Sequence, residues 1–207
     1  MDFLDFHHHK PSQPGIYNLN LNEEIPQWKF SAGLHPKDIT ENWKSDFERI
    51  KNISQSYNCL AIGECGLDAM IPIDESLQNE IFQHHISWAE DIKKPVIVHC
   101  VRRFSQLLHY KRAKVPFIIH GFNKKENVAK ELLQAGFFLS FGKAASDHLS
   151  LQQIIKDFPV HKMFLESDDT DFDIAELYEK VSAIKSMSLE NLKMQMWENL
   201  ENVINYG

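Results

Sequence analysis

The chain has 207 residues, of which 43% are hydrophobic and 25% are charged, and its formal net charge is −7. This length predicts a single domain over residues 1–207 with a sizeable core, and the composition is that of an ordinary soluble globular protein. The acidic balance excludes a general attraction to nucleic acid, so an anionic substrate would need a local basic patch.

No apolar run reaches the length of a membrane span, and no basic-then-apolar leader opens the chain, so we expect no membrane partner. The three cysteines, Cys59, Cys65 and Cys100, are odd in number and lack CxxC spacing. This usage argues against a disulfide scaffold and favours a reducing, cytoplasmic location. The sequence gives no indication of the oligomeric state.

Short apolar runs of strand length alternate with longer amphipathic segments along the chain. The runs are rich in Val, Ile, Leu and Phe, which is typical of strands buried on both faces. They cover residues 2–7, 15–21, 29–35, 59–66, 95–100, 116–122, 137–142 and 163–168. Helices are predicted over residues 38–57, 75–93, 103–112, 124–135, 148–157, 172–184 and 188–205. The first of them is expected to begin at Asp38 or Thr40, both plausible N-caps.

This alternation of strands and helices predicts an α/β fold with a parallel sheet, and eight strands predict a TIM-type (β/α) barrel. Few residues separate the first three strands, so the barrel should be distorted, with the helices between them reduced or missing. A doubly wound open sheet is the structural alternative. No glycine-rich phosphate loop follows any strand, which argues against a nucleotide-binding version of that sheet.

Histidines and carboxylates fall at the carboxyl ends of six of the predicted strands, where a parallel barrel carries its chemistry. A lone histidine there is usually a hydrogen-bonded core or loop residue, so only the coincidence across strands is informative. Imidazole and carboxylate together suit Zn, Mn, Mg or Fe, and the absence of cysteine argues against a closed structural zinc site. The residues are Asp5, His7, His9, His35, Glu64, His99, His120, Glu166 and Asp168.

Three consecutive histidines near the start, "HHH" at residues 7–9, could be the remnant of a purification tag or half of a metal site. His7 and His9 alternate along a predicted strand and therefore face one side. His8 should face the other side, as a structural or solvent-exposed residue. The preceding Asp5 and the matching residues far along the chain favour the metal site.

Five motifs follow one another along nearly the whole chain: "DFHHH" (5–9), "GLHP" (33–36), "GECGLD" (63–68), "IIHGF" (118–122) and "LESD" (165–168). In this order they resemble the TatD-like deoxyribonucleases, which are metal-dependent hydrolases with an amidohydrolase-type barrel. The resemblance implies one or two divalent ions, with Mg, Mn or Zn as candidates, and DNA phosphodiesters as the usual substrate. The metal ligands that it implies are His7, His9, Glu64, His99, His120 and Asp168.

The expected reaction is attack of a metal-activated water on a phosphodiester, most readily at DNA ends. Asp168 is the expected base and ligand, and Glu64 is the catalytic carboxylate that could bridge two ions. Residues that directly follow strands lie on the active face, so a second set of side chains is predicted to contact substrate. This set is His35, Arg102, Arg103, Lys124 and Lys143, although scattered surface lysines are an equally ordinary explanation for the cations.

The sequence departs from the family at the arginine expected two residues after His99, where it has Val101; Arg102 and Arg103 are candidate replacements. The loops after the first strands are also short. Two alternatives therefore stay open. One is a metallohydrolase of the same fold that acts on another ester, phosphoester or amide. The other is a non-catalytic metal-binding protein.

Overall fold

The computed structural model describes residues 1–11 and 14–206, and it contains one sheet of eight parallel strands in sequential order. The strands are β1 (Asp5–His8), β2 (Gly15–Leu19), β3 (Phe30–Ala32), β4 (Cys59–Asp68), β5 (Val96–Val101), β6 (Phe117–Ile119), β7 (Phe138–Phe141) and β8 (Met163–Leu165). The predicted eight strands are confirmed. A doubly wound sheet would reverse its strand order at a switch point, so the sequential order excludes that alternative.

The barrel closes between its first and last strands through backbone bonds just beyond the end of β8. The Asp168 N–H donates to the His7 carbonyl at 2.9 Å, and the His9 N–H donates to the Asp168 carbonyl at 3.2 Å. Below them, the Asp5 carboxylate accepts the Ser167 N–H at 2.8 Å and the Ser167 hydroxyl at 2.5 Å. We call these four bonds the barrel seam. They fix residues from the two ends of the chain beside each other.

Eight α-helices surround the barrel in the described part of the chain. They are α1 (Trp43–Ser54), α2 (Glu75–Ile92), α3 (Phe104–Leu107), α4 (Glu126–Gln134), α5 (Ala144–Asp147), α6 (Leu149–Asp157), α7 (Ile174–Lys185) and α8 (Leu189–Ile204). Within the described residues, no helix connects β1 to β2 or β2 to β3, as the short spacing predicted. None of the helices described here is both long and apolar enough to cross a bilayer.

Two helical predictions need correction. The segment predicted as a helix from Asp38 or Thr40 begins with one 3₁₀ turn over Pro36–Asp38, and α1 starts only at Trp43. The His35 side chain accepts the Lys37 N–H and so caps the 3₁₀ turn in place of the predicted residues. The predicted helix over 103–112 is split into α3 and a 3₁₀ turn, Leu108–Tyr110.

A small apolar cluster covers the side of the barrel that lacks helices. Tyr17 and Leu19 of β2 pack there with Phe30 of β3, and the partly buried Trp28 lies against them. Ile16 of β2 belongs instead to the main core. The strand therefore alternates between the barrel interior and this outer cluster, as the period of two requires. Trp28 of the loop between β2 and β3 and Ile53 of α1 thus cover the outer faces of these strands.

Gly66 allows β4 to approach β5 closely, and this pairing places the residues of the candidate site beside each other. Gly66 has φ +148°, and a Cβ there would lie 2.1 Å from the His99 carbonyl oxygen. Gly66 is paired with His99 and Asp68 with Val101. A side chain at position 66 would separate the strands, so glycine is required for the contact between the end of β4 and His99.

Candidate metal centre

Glu64 lies at the centre of a cluster of imidazoles at the carboxyl end of the barrel and is only 4% exposed. Its Oε1 atom is 2.7 Å from His120 Nε2, 2.8 Å from His99 Nδ1 and 3.3 Å from His35 Nε2. These contacts join Glu64 of β4 to His99 of β5 and to His35 and His120, which follow β3 and β6. We call Glu64, His99 and His120 the β4–β6 group.

A second group forms where the barrel seam joins β1 to the segment after β8. His9 Nε2 lies 3.4 Å from Asp168 Oδ1, and His7 Nε2 lies 3.7 Å from the same oxygen. We call His7, His9 and Asp168 the β1 group. Glu64 Oε2 connects the two groups, because it is 3.4 Å from His7 Nε2 and 4.0 Å from His9 Nε2. All six predicted ligands are therefore brought together.

The buried imidazole of His7 tests whether these residues suit a metal. His7 is fully buried, and neither ring nitrogen has a hydrogen-bond partner among the described residues. Leaving a buried polar atom unpaired costs about 1–3 kcal/mol. His7 belongs to two sets of ligand atoms that lie within 4.8 Å of one another, one with Glu64 and His120 and one with His9 and Asp168. This nitrogen and oxygen donor set fits a divalent cation.

The charges in the cluster are strongly coupled. Burial alone would raise the pKa of Glu64, but the positive charge of His120 and hydrogen bonds from His120 and His35 hold it well below its usual value. Burial would lower the pKa of His120, but the charge of Glu64 raises it well above its usual value. The pocket around Glu64 thus favours positive charge, which a proton or a metal ion can supply.

Asp168 is ionised at neutral pH. Burial would raise its pKa, but the hydrogen bond with His9 and the positive charges of His120 and His7 lower it to about 2. Its side chain is 32% exposed, so it lies at the mouth of the cluster. Its backbone has φ +55°, a left-handed conformation that the barrel seam maintains. The carboxylate is therefore both charged and fixed in direction.

Two carboxylates stand behind the imidazoles of the β4–β6 group. Asp68 Oδ2 is 3.2 Å from His99 Nε2, and Glu166 Oε1 is 3.6 Å from His120 Nδ1. Carboxylates in such positions orient metal-binding imidazoles and increase their basicity. Asp68 ends the "GECGLD" motif but has no predicted role, because the strand was predicted to end at residue 66, whereas β4 runs to Asp68.

His35 reaches Glu64 as a hydrogen-bond donor. Its Nδ1 accepts the Lys37 N–H at 2.9 Å, so the neutral ring carries its proton on Nε2, which faces Glu64 Oε1. A metal would need the lone pair that this tautomer lacks on Nε2. The arrangement agrees with leaving His35 out of the predicted ligand set, and its contact with substrate stays a prediction.

Asn18 of β2 is a site residue that the sequence analysis missed. Its Oδ1 accepts the Glu64 N–H at 3.2 Å, and its Nδ2 lies 3.4 Å from Glu64 Oε2 and 3.5 Å from His9 Nε2. The amide thus holds Glu64 from both its backbone and its side chain. The sequence gives only a weak indication of this role, because Asn18 is a single polar residue on the same face of β2 as Ile16.

His8 points away from the cluster, toward Tyr17, with 6.0 Å between the ring centroids. His8 is fully buried, so the prediction of a solvent-exposed residue is wrong. A structural role for His8 stays a prediction. Burial lowers its pKa to about 4, and it is therefore neutral at pH 7.

The four cations predicted to contact substrate differ in whether their charge is already paired with a carboxylate. Arg103 forms an ion pair with Glu75 on α2, which turns its charge toward that helix. Lys143 is exposed, and its charge acts on Asp171. Arg102 and Lys124 are exposed and have no ion pair within residues 1–11 and 14–206. Arg102, Lys124 and Lys143 thus remain available to a phosphate, because only Arg103 of the four is ion-paired within the described residues.

Comparison with known proteins gives one family. The family described as TatD related DNase matches residues 16–205. The uncharacterized metal-dependent hydrolase YcfH of Escherichia coli K12 is 30% identical over 163 residues, which are 75% of this chain and 61% of YcfH. The 3'-5' ssDNA/RNA exonuclease TatD of Citrobacter rodentium is 29% identical over 157 residues, covering 72% of this chain and 59% of that protein. The chain thus spans about three-fifths of these relatives.

A solved structure shares the fold. The crystal structure of YjjV, a TatD homologue from Escherichia coli, superimposes with a TM-score of 0.73. The match covers 86% of this chain and 77% of that one at 18% sequence identity. This similarity supports the barrel and its element order, independently of any activity.

Proposed function

The chain belongs to the TatD-related DNase family of metal-dependent hydrolases, and on that premise we propose that it hydrolyses phosphodiesters at the ends of DNA strands. One observation carries the proposal. Two sets of ligand atoms, one with Glu64 and His120 and one with His9 and Asp168, meet at the buried ring of His7, whose nitrogens lack a hydrogen-bond partner among the described residues. Glu64 Oε2 lies between the two sets, 3.4 Å from His7 Nε2 and 4.0 Å from His9 Nε2. Such a shared carboxylate is suited to a centre of two ions.

The β1 group and the β4–β6 group would each hold one divalent ion, with Glu64 between them. A metal bound there supplies a Lewis acid and makes hydroxide available near neutral pH. Asp68 and Glu166 would keep His99 and His120 turned toward the centre. Asn18 would hold the shared carboxylate in place.

Asp168 is the proposed base. Its Oδ1 accepts a proton from the water that attacks phosphorus, while the bond from phosphorus to the leaving oxygen breaks. The partial exposure of its side chain allows water and substrate to reach it, and the barrel seam keeps it aimed at the centre. Because its pKa is about 2, the carboxylate is available as an acceptor throughout the neutral range.

The sugar–phosphate backbone of the DNA strand is proposed to run toward Arg102 and Lys124. Both are exposed and follow strands at the active face, whereas Arg103 is held by Glu75. These cations would supply the local attraction that an overall charge of −7 cannot provide. Val101 at the position of the family arginine favours a second candidate, a metallohydrolase that acts on a different ester or on an amide.

The two candidates are separated by a substrate panel with controlled metal content. Chelated protein is reloaded with Mg, Mn or Zn, its bound metal is counted, and single-stranded DNA, an aryl phosphodiester and a small amide are offered. We expect DNA hydrolysis that chelation abolishes and reloading restores. Turnover of the amide beside no turnover of DNA with any of the metals would contradict the nuclease proposal.

A further inference from the structure

A polar cavity of about 290 Å³ opens directly beside the metal centre, next to the ends of β2 and β3. Asn18, His35 and Glu64 line it where it meets the centre. The remaining walls come from the loops after β2 and β3 and from α1. We call this cavity the asparagine pocket, and its polar wall residues are Asn20, Asn22, Asp38, Thr40 and Asp46.

The charge of the asparagine pocket is opposite to that of the far side of the centre. In the described part of the chain, Asp38 and Asp46 line the pocket and no lysine or arginine does. Arg102 and Lys124 lie after β5 and β6, across the barrel. A phosphate is repelled by the first side and attracted by the second. A substrate with one uncharged end and one anionic end therefore has a preferred orientation.

Part of the wall is held in shape before any ligand arrives. Glu23 accepts hydrogen bonds from the Tyr17 hydroxyl at 2.7 Å and from the Asn20 side-chain amide at 2.9 Å. Both contacts tie the loop after β2 to the strand that precedes it. A wall fixed in this way loses little conformational freedom when it binds a ligand.

We propose that the asparagine pocket binds the terminal nucleoside of a DNA strand, while the phosphate chain leaves toward Arg102 and Lys124. This inference rests on the proposed function and adds the orientation of the substrate. The volume lies near the lower limit of small-molecule pockets, about 300 Å³, which suits a single nucleoside. Carboxylates only accept hydrogen bonds, so Asp38 and Asp46 favour a base that donates them.

Terminal nucleosides can be divided by whether their base carries an exocyclic amino group, which donates hydrogen bonds. Cytosine, adenine and guanine carry an exocyclic amino group, whereas thymine has none and offers only its ring N3–H as a donor. Oligonucleotides of one length, with both terminal bases cytosine or both thymine, should therefore differ in KM. We expect the cytosine substrate to have a KM lower by on the order of tenfold, the effect of one well-formed hydrogen bond, with a similar kcat.

The double variant Asp38→Asn, Asp46→Asn replaces acceptors by amides of the same shape and should bring the KM ratio close to one. Its metal content should equal that of the wild type, because neither residue belongs to the proposed ligand set. Asp91→Asn, on an exposed residue of α2, is the matched control and should keep the ratio. A wild-type ratio of one, or a ratio that survives the double variant, would overturn the assignment of the pocket.

Binding of free deoxycytidine and thymidine to the metal-loaded protein separates this inference from the nuclease proposal, because it needs no turnover. We expect deoxycytidine to bind more tightly than thymidine to the wild type and to Asp91→Asn, and equally weakly to the double variant. Such binding without DNA hydrolysis would reject the nuclease and keep the pocket. Failure of deoxycytidine to bind would reject the pocket even in an active nuclease.

Discussion

The two ligand groups of the metal centre are stabilised in different ways. In the β4–β6 group, Asp68 lies 3.2 Å behind His99, whereas His120 Nδ1 is 3.6 Å from Glu166 and has no hydrogen-bond partner among the described residues. In the β1 group, His7 has no hydrogen-bond partner among the described residues. In the first group the ring of His99 is oriented by the Asp68 side chain, and in the second the positions are set by the backbone of the barrel seam.

This difference indicates how firmly each group would hold an ion. A carboxylate behind an imidazole fixes both its tautomer and its direction, which strengthens metal binding. The β1 group gains its geometry only when β1 and the segment after β8 are joined. We therefore expect the β4–β6 group to bind its ion more tightly and the β1 group to lose its ion first on dilution or chelation.

Glu64→Gln should have the largest effect, because it alters the one carboxylate that both groups share. We expect loss of at least on the order of 10³-fold in activity, together with loss of metal from both groups. The glutamine keeps the shape of the side chain but leaves the imidazoles without their negative partner. Metal analysis and single-stranded DNA hydrolysis test this, with the exposed Glu48→Gln on α1 as the control. Two bound ions in the variant would contradict a shared role.

Asp168→Asn should come next and should separate chemistry from metal binding. Asparagine tolerates the left-handed backbone conformation almost as well as aspartate, so the barrel seam should persist. Loss of the proton acceptor should lower kcat by about 10²–10³-fold. The ion of the β4–β6 group should remain, as measured by metal content. Wild-type hydrolysis with unchanged metal would remove Asp168 from the mechanism.

Asp68→Asn tests the comparison between the groups directly. Because the carboxylate lies behind His99 and outside the proposed ligand set, its loss should weaken metal binding by about 10- to 100-fold. The effect should fall on the ion of the β4–β6 group and disappear at saturating metal. Titration of chelated protein with Mn or Zn gives the affinity. An unchanged affinity would mean that the β4–β6 group gains nothing from Asp68.

The eight strands and the six clustered residues could be predicted because local patterns encode them. Apolar runs mark the strands, and a parallel barrel brings their carboxyl ends to one face. The supporting contacts were not predictable in this way. Asp68 meets His99 only because Gly66 allows β4 and β5 to approach, and Asn18 meets Glu64 only through the curvature of the barrel. Arg103 was predicted to contact substrate, but it forms an ion pair with Glu75. That pair could not be predicted from local patterns, because the two residues are far apart in the sequence.

Among these substitutions, His8→Ala should have the smallest effect on metal content, and the adjacent His7→Ala is its comparison. His7 and His8 are both fully buried, but His7 faces the metal centre and His8 faces Tyr17 in the outer cluster. His7→Ala should remove metal, whereas His8→Ala should leave metal content and activity within about twofold of the wild type, as expected for a residue outside the site. The lost packing should still lower the free energy of unfolding of the His8 variant by about 2–4 kcal/mol. Urea unfolding beside metal analysis measures both effects, and equal loss of metal from the two variants would show that the outer face also shapes the centre.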